Sequence, residues 1–124
     1  MSNTKLVEKL NGGLAWELRA SALYSHYSAY VKGIHRIHLK AFFDEEASES
    51  NTHADMVRAA IVKLGGQAVT DRDPTEIVHT TDYKVMLEEA LKTEQKAAKG
   101  YEAVLDLIKD DEEMYDSIEQ IYFQ

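Results

Sequence analysis

The sequence predicts an all-α fold, a four-helix bundle in up-down-down-up order, on three observations. Its 124 residues hold six glycines and a single proline, Pro74, leaving long stretches that favour long helices over many short strands. Apolar residues recur at steps of three and four through three segments of nearly equal length. The connections between segments are unequal, one tight and one long, and their lengths set the topology.

The first helix is expected from about Thr4 to Val31, with Gly33 just past its end. The second runs from about His35 to Leu64 and stops at Gly65-Gly66, a strong C-terminal signal. Residues 67–81 (QAVTDRDPTEIVHTT) are rich in Asp and Thr and contain the proline, so they form a connection. Thr81 or Asp82 suits the N-cap of a third helix that continues to about Ile108. Lys109-Asp110-Asp111 breaks that helix, and a fourth begins near Asp111 or Glu112. The turn at Lys32-Gly33-Ile34 makes the first two helices antiparallel neighbours. A link as long as that after Gly66 exceeds the usual ~2–8 residues of helix bundles. It can climb the full side of the bundle, so that the third helix starts from the same end as the second. The fourth helix, ending by Gln124, covers half the bundle's length. Either the chain has lost its end or a neighbouring subunit covers the open half. The closing Tyr122-Phe123-Gln124 also resembles the remnant of a protease-cleavage tag.

Residues 1–124 are expected to make one domain. A formal net charge of −8 argues against nucleic acid or an anionic membrane as main partner, since both need a cationic face. It suits a protein that handles cations. The absence of cysteine excludes disulfides, thiolate metal sites and thiol catalysis. The N-terminus enters an amphipathic pattern with no apolar signal region, and no apolar run approaches the ~20 residues that span a bilayer. A cytoplasmic protein is expected.

Acids interrupt the apolar stripes at informative places. Along the first helix the line is Leu10, Leu14, Glu17, Ser21, Tyr24, Ser28, Val31. Along the third it is Leu87, Leu91, Glu94, Ala98, Tyr101, Leu105, Ile108. The second helix carries Phe43, Ala47, Ser50, Ala54, Val57, Ile61, Leu64, with His53 and Glu46 to one side and Glu49 further out. Glu17, His53 and Glu94 lie near the midpoints of their helices, so a bundle of equal helices brings them into one layer. A lone ionised carboxylate buried there costs several kcal/mol unless neutralised. Two of them with a histidine call for a cation or an organised hydrogen-bond network. Carboxylates with imidazole suit iron, manganese or zinc. Tyr24 is placed to hydrogen-bond into the layer. Tyr27, Tyr30 and Tyr101 read as packing, and His35 and His38 as solvated.

These residues resemble a known family. Leu10-Asn11 followed by Leu14, Glu17, Ala22, Tyr24 and Ala29 is similar to the first helix of non-haem bacterial ferritins and bacterioferritins. Phe42-Phe43 ahead of His53-Ala54-Asp55, then Gly65-Gly66, resembles their second helix, and Thr93-Glu94-Gln95 their third. The resemblance implies a ferritin-like fold and a ferroxidase, an oxidoreductase that binds Fe(II) at a di-iron centre, oxidises it with O₂ or peroxide, and stores ferric mineral in a homo-oligomeric shell. It implies Glu17 and His53 as ligands of one iron, Glu94 of the second, Tyr24 as a neighbouring tyrosine, and Glu49 as a further iron-binding carboxylate. Asn51 stands where a haem-binding methionine is expected, so no haem is implied.

Two departures accompany the resemblance. Ser50 replaces the bridging glutamate three residues before the histidine, and a hydroxyl substitutes poorly for a carboxylate joining two cations. Glu49 could swing in, whereas Glu46 lies two turns away, ~10.5 Å in rise. The fourth helix stops before the layer that would supply its ligands. The site is therefore expected to be incomplete or mononuclear. Two other readings stand beside the ferroxidase: a non-catalytic structural or shell subunit with a relic site, and a DNA-protecting mini-ferritin, which the acidic balance disfavours.

Overall fold

The computed structural model describes residues 2–108 and 112–122 of the chain. They form α1 (Ser2–Tyr30), α2 (Arg36–Lys63), α3 (Tyr83–Ile108) and α4 (Glu112–Tyr122). The expected break at residues 109–111 and the closing Phe123-Gln124 lie outside the described residues. α1 packs against α2 and α3, and α4 packs against α3 and α2. No helix among the described residues is long and apolar enough to cross a membrane.

The helix ends follow local chemistry. After α2 the Gly65 N–H bonds to the Val62 carbonyl and the Gly66 N–H to the Ile61 carbonyl, both at 3.0 Å. This is a Schellman arrangement, and it requires the left-handed backbone that Gly65 adopts at φ +77. Gly66 answers a different need. A Cβ there would lie 2.7 Å from Val7 Cγ1, so glycine lets the start of α1 pass close to the end of α2. Asp82 is the residue that caps α3, its Oδ1 accepting the Lys84 N–H at 2.9 Å.

The connection from α2 to α3 climbs α1 contact by contact. Asn11 takes the Val69 N–H and donates to the Gln67 carbonyl, both at 2.9 Å. The Asp73 N–H reaches the Ala15 carbonyl at 2.9 Å. Arg19, buried, donates to the carbonyls of Thr75 at 3.0 Å and Glu76 at 2.8 Å. Near the far end the Tyr27 hydroxyl bonds the Val78 carbonyl at 2.7 Å, and the His26 and His79 imidazoles share a hydrogen bond of 2.9 Å. Backbone carbonyls with no strand partner are thus satisfied by α1 side chains. α3 starts at the end of the bundle where α2 started, which gives the expected up-down-down-up order.

The apolar core divides in two. One half-core holds Leu6, Leu10 and Leu14 of α1, Ala54 to Ile61 of α2, Tyr101 to Ile108 of α3 and Met114, Ile118 and Ile121 of α4. The other holds Ala20 to Val31 of α1, Phe43 and Ala47 of α2, and Met86 and Ala90 of α3. Between them, in every long helix, lies a polar stretch: Glu17, Ser50 with His53, and Thr93 with Glu94.

The facing of α3 departs from expectation in its first half. Leu87 and Leu91 are exposed, and the buried line is Met86, Ala90 and Thr93. The two stripes are neighbours on the helix, separated by one residue or 100°. α1 claims the first of them. Leu87 and Leu91 face the side that α4 does not reach.

Candidate metal centre

Just beyond the end of α4 a cleft of about 400 Å³ opens between α2 and α3, with Ile121 among its lining residues and α1 as its floor. Glu17, Glu49, His53, Glu94 and Tyr24 all line it, so the residues singled out from the sequence share one cavity. Their environments differ. Glu17 is 4% exposed, buried in the polar layer. His53 is half-buried and presents Nδ1 3.6 Å from Glu17 Oε2. Glu94, expected to be buried at mid-height, is exposed, because its stripe is the one turned to the open side. Its Oε1 accepts the Tyr24 hydroxyl at 2.5 Å. Tyr24, expected to hydrogen-bond into the site, thus bonds Glu94, one of the three residues expected there. Burial, and then the bond to Glu94, push the Tyr24 pKa far up, so the phenol stays a donor.

Two residues that the stripes undervalued also belong to the cleft. Tyr101, assigned to packing, donates its hydroxyl to Glu17 Oε1 at 2.7 Å. Burial and the Glu17 charge raise its pKa strongly, which keeps it protonated. Its place seven residues after Glu94, two turns along the same stripe, was the available signal. Glu46, set aside as two turns from His53, lines the same cleft. Burial, followed by the charges of Glu49, Glu94 and Glu45, lifts its carboxyl to about 7, with His53 opposing. Four carboxylates in one cleft repel one another, and a proton on Glu46 relieves part of that cost.

Two donor atoms each ~2.0–2.2 Å from one cation stand about 3 to 3.6 Å apart. The separation of Glu17 Oε2 and His53 Nδ1, 3.6 Å, fits one shared cation. A third ligand is not in position. Glu94 is turned toward Tyr24, and among the described residues no three His, Asp or Glu side chains converge closely enough to hold a metal. Ser50, at the position where the family resemblance expects a bridging carboxylate, is buried in the cleft wall.

Comparison with known proteins decides the family. The model of the ferritin-like domain matches residues 7–122. The chain belongs to the ferritin family. A ferritin-like di-iron-carboxylate protein from Bacillus anthracis superposes with a TM-score of 0.93 at 31% identity, covering 98% of this chain and 88% of that one. A dodecameric thioferritin, the bacterioferritin-related protein of Bacteroides fragilis, gives 0.90 at 23% identity over 97% and 77% of the two chains. A DPS protein from Vibrio cholerae gives 0.91 at 16% identity over 98% and 82%. At those lower identities the last two attest the fold alone. Comparison with curated protein sequences finds no match. In this ferritin-like bundle the acidic cleft occupies the layer where the polar stretches of three helices meet.

Proposed function

We propose that this ferritin-like domain binds ferrous iron as a substrate in the cleft, with Glu17 and His53 as ligands of one iron, and takes part in its oxidation and storage within a homo-oligomer. The observation that carries the proposal is the Glu17–His53 pair, 3.6 Å apart and enclosed between two apolar half-cores. A buried acid needs hydrogen bonds and compensating positive charge; Tyr101 supplies a hydrogen bond, and a cation bound by both Glu17 and His53 would supply the charge. Glu94, released from Tyr24, supplies the carboxylate for a second iron, and Glu49 a further one at the same cleft. Each Fe(II) oxidised gives one electron, so two satisfy the two-electron reduction of O₂ to peroxide, and a lone iron does not. The acids draw Fe(II) in and stabilise the product charge, while the apolar half-cores fix their geometry. Self-association is supported by the exposed Phe42, Leu87 and Leu91 beside the cleft and by the dodecameric state of the Bacteroides fragilis protein.

Anaerobic titration with Fe(II), followed by oxygen uptake and ferric absorbance, tests the proposal. Stoichiometric binding that is lost in Glu17→Ala and weakened in His53→Ala, by about 10-fold or more, is expected. Binding unchanged in both variants overturns the assignment. A second reading, a shell subunit with a relic site, is favoured by Ser50 at the bridging position and by the unassembled third ligand. It predicts no stoichiometric binding in the parent protein.

A further inference from the structure

We propose that Tyr101 is a positioning residue that holds Glu17 as a one-oxygen metal ligand. The inference rests on the reading of Glu17 and His53 as ligands and adds how the carboxylate is presented. The two oxygens of Glu17 are already differentiated. Oε1 accepts the Tyr101 hydroxyl at 2.7 Å, whereas Oε2 faces His53 Nδ1 at 3.6 Å. A carboxylate that chelates a cation must offer both oxygens to it at once. A phenol hydrogen-bonded to Oε1 occupies one of that oxygen's two lone pairs and draws charge from it, which favours Oε2, the oxygen beside His53, as the metal-facing atom.

The phenol is well held in that role. Tyr101 is 4% exposed and sits in the α4-closed half-core. Its ring runs beside α1, with Cε1 3.6 Å from where a Cβ on Gly13 would stand. α1 thus contributes both the carboxylate and the glycine surface against which the ring is seated. Tyr24 engages the other carboxylate differently: Glu94 is exposed and lies on the open side of the cleft. Of the two tyrosine–glutamate pairs, only that of Tyr101 and Glu17 is enclosed on both partners.

The expected consequence is a coordination number lower by one at this metal, which would leave a position open to the oxidant or to water. The full chain loaded with Co(II) reports it, because the intensity of Co(II) visible absorption falls as coordination number rises. Tyr101→Phe keeps the ring and removes the hydroxyl. We expect it to retain Co(II) binding while its visible absorption drops by about twofold or more as Glu17 becomes chelating. Metal-induced infrared difference spectra of the unsubstituted protein give an independent readout: a wide separation of the carboxylate stretches for one-oxygen ligation, a narrow one for chelation. If Glu17→Ala abolishes Co(II) binding but Tyr101→Phe leaves the absorption unchanged, or the parent shows a narrow separation, the role of Tyr101 is overturned and the ligand assignment stands. If Glu17→Ala and His53→Ala both bind Co(II) as the parent does, the ligand assignment fails and the role of Tyr101 fails with it.

Discussion

The two halves of the bundle are built from the same three long helices, yet among the described residues only one is closed by a fourth. In the closed half, α4 lays Met114, Ile118 and Ile121 onto α2 and α3, and a four-helix core results. In the open half, three helices share Tyr24, Tyr27, Phe43 and Met86 in a smaller core, and Leu91 beside it is 59% exposed. The candidate metal centre sits at the boundary. There the closed half supplies rigidity through Tyr101 and Glu17, and the open half supplies access through Glu46, Glu49 and Glu94. An acid layer needs both: enclosure raises the cost of uncompensated charge, and an opening admits the cation that offsets it.

Closure by α4 should dominate the stability difference between the halves. α4 has 11 residues, below the ~12–15 at which an isolated helix becomes even marginal in water. Its stability therefore comes from the side chains it buries. Ile118→Ala should cost about 4 kcal/mol, since a cavity enclosed by four helices relaxes little. Met86→Ala removes an equally buried side chain from the open half, where neighbours can collapse into the space, and should cost about 2 kcal/mol. Urea unfolding of both variants checks the order. A Met86 cost equal to or above that of Ile118 breaks the contrast between the halves.

Glu46 sharpens it from the electrostatic side. In the folded protein its carboxyl titrates at about 7, against an ordinary value of 4.5. The folded state thus binds more protons than the unfolded chain between those values, and stability falls as pH rises from 4.5 through 7. Glu46→Gln removes that dependence. The variant should match the parent near pH 4.5 and exceed it at pH 8 by about 1 kcal/mol, solvent on the open side screening the remainder. Thermal melts at the two pH values decide it. Equal differences at both show that the cleft acids do not interact as their placement implies.

What could be read in advance was what local chemistry dictates. Gly65-Gly66, Asp82 and the length of the link after Gly66 each specify a backbone conformation or a reach, and the topology followed from them. Glu17, His53 and Glu94 were legible as a group because midpoints of equal helices must meet. The missed features depend on rotation and on long-range partners. Periodicity alone cannot choose between the adjacent stripes Met86-Ala90-Thr93 and Leu87-Leu91-Glu94, so the exposure of Glu94 was not foreseen. Nor does spacing reveal that the Tyr101 hydroxyl meets a carboxylate 84 residues earlier in the chain. Arg19 carried no signal as the clamp on residues 75–76, because its partners are backbone carbonyls that any sequence supplies.

The smallest expected change in stability is the most telling about the open half. Leu91 is mostly exposed on a helix face that no other element of the described chain covers, so Leu91→Gln should alter the stability of the isolated subunit by no more than about 0.5 kcal/mol. If a second subunit covers that face, the same substitution places an amide in an apolar contact together with Phe42 and Leu87, and assembly weakens although the fold does not. The expected outcome is a lower mass by light scattering with an unchanged urea midpoint for the dissociated subunit. An unchanged mass would mean that the open side faces solvent or lies over a cavity in the assembly. The apolar rim would then serve the cleft, by keeping water from the acids behind it, and contribute nothing to subunit contact.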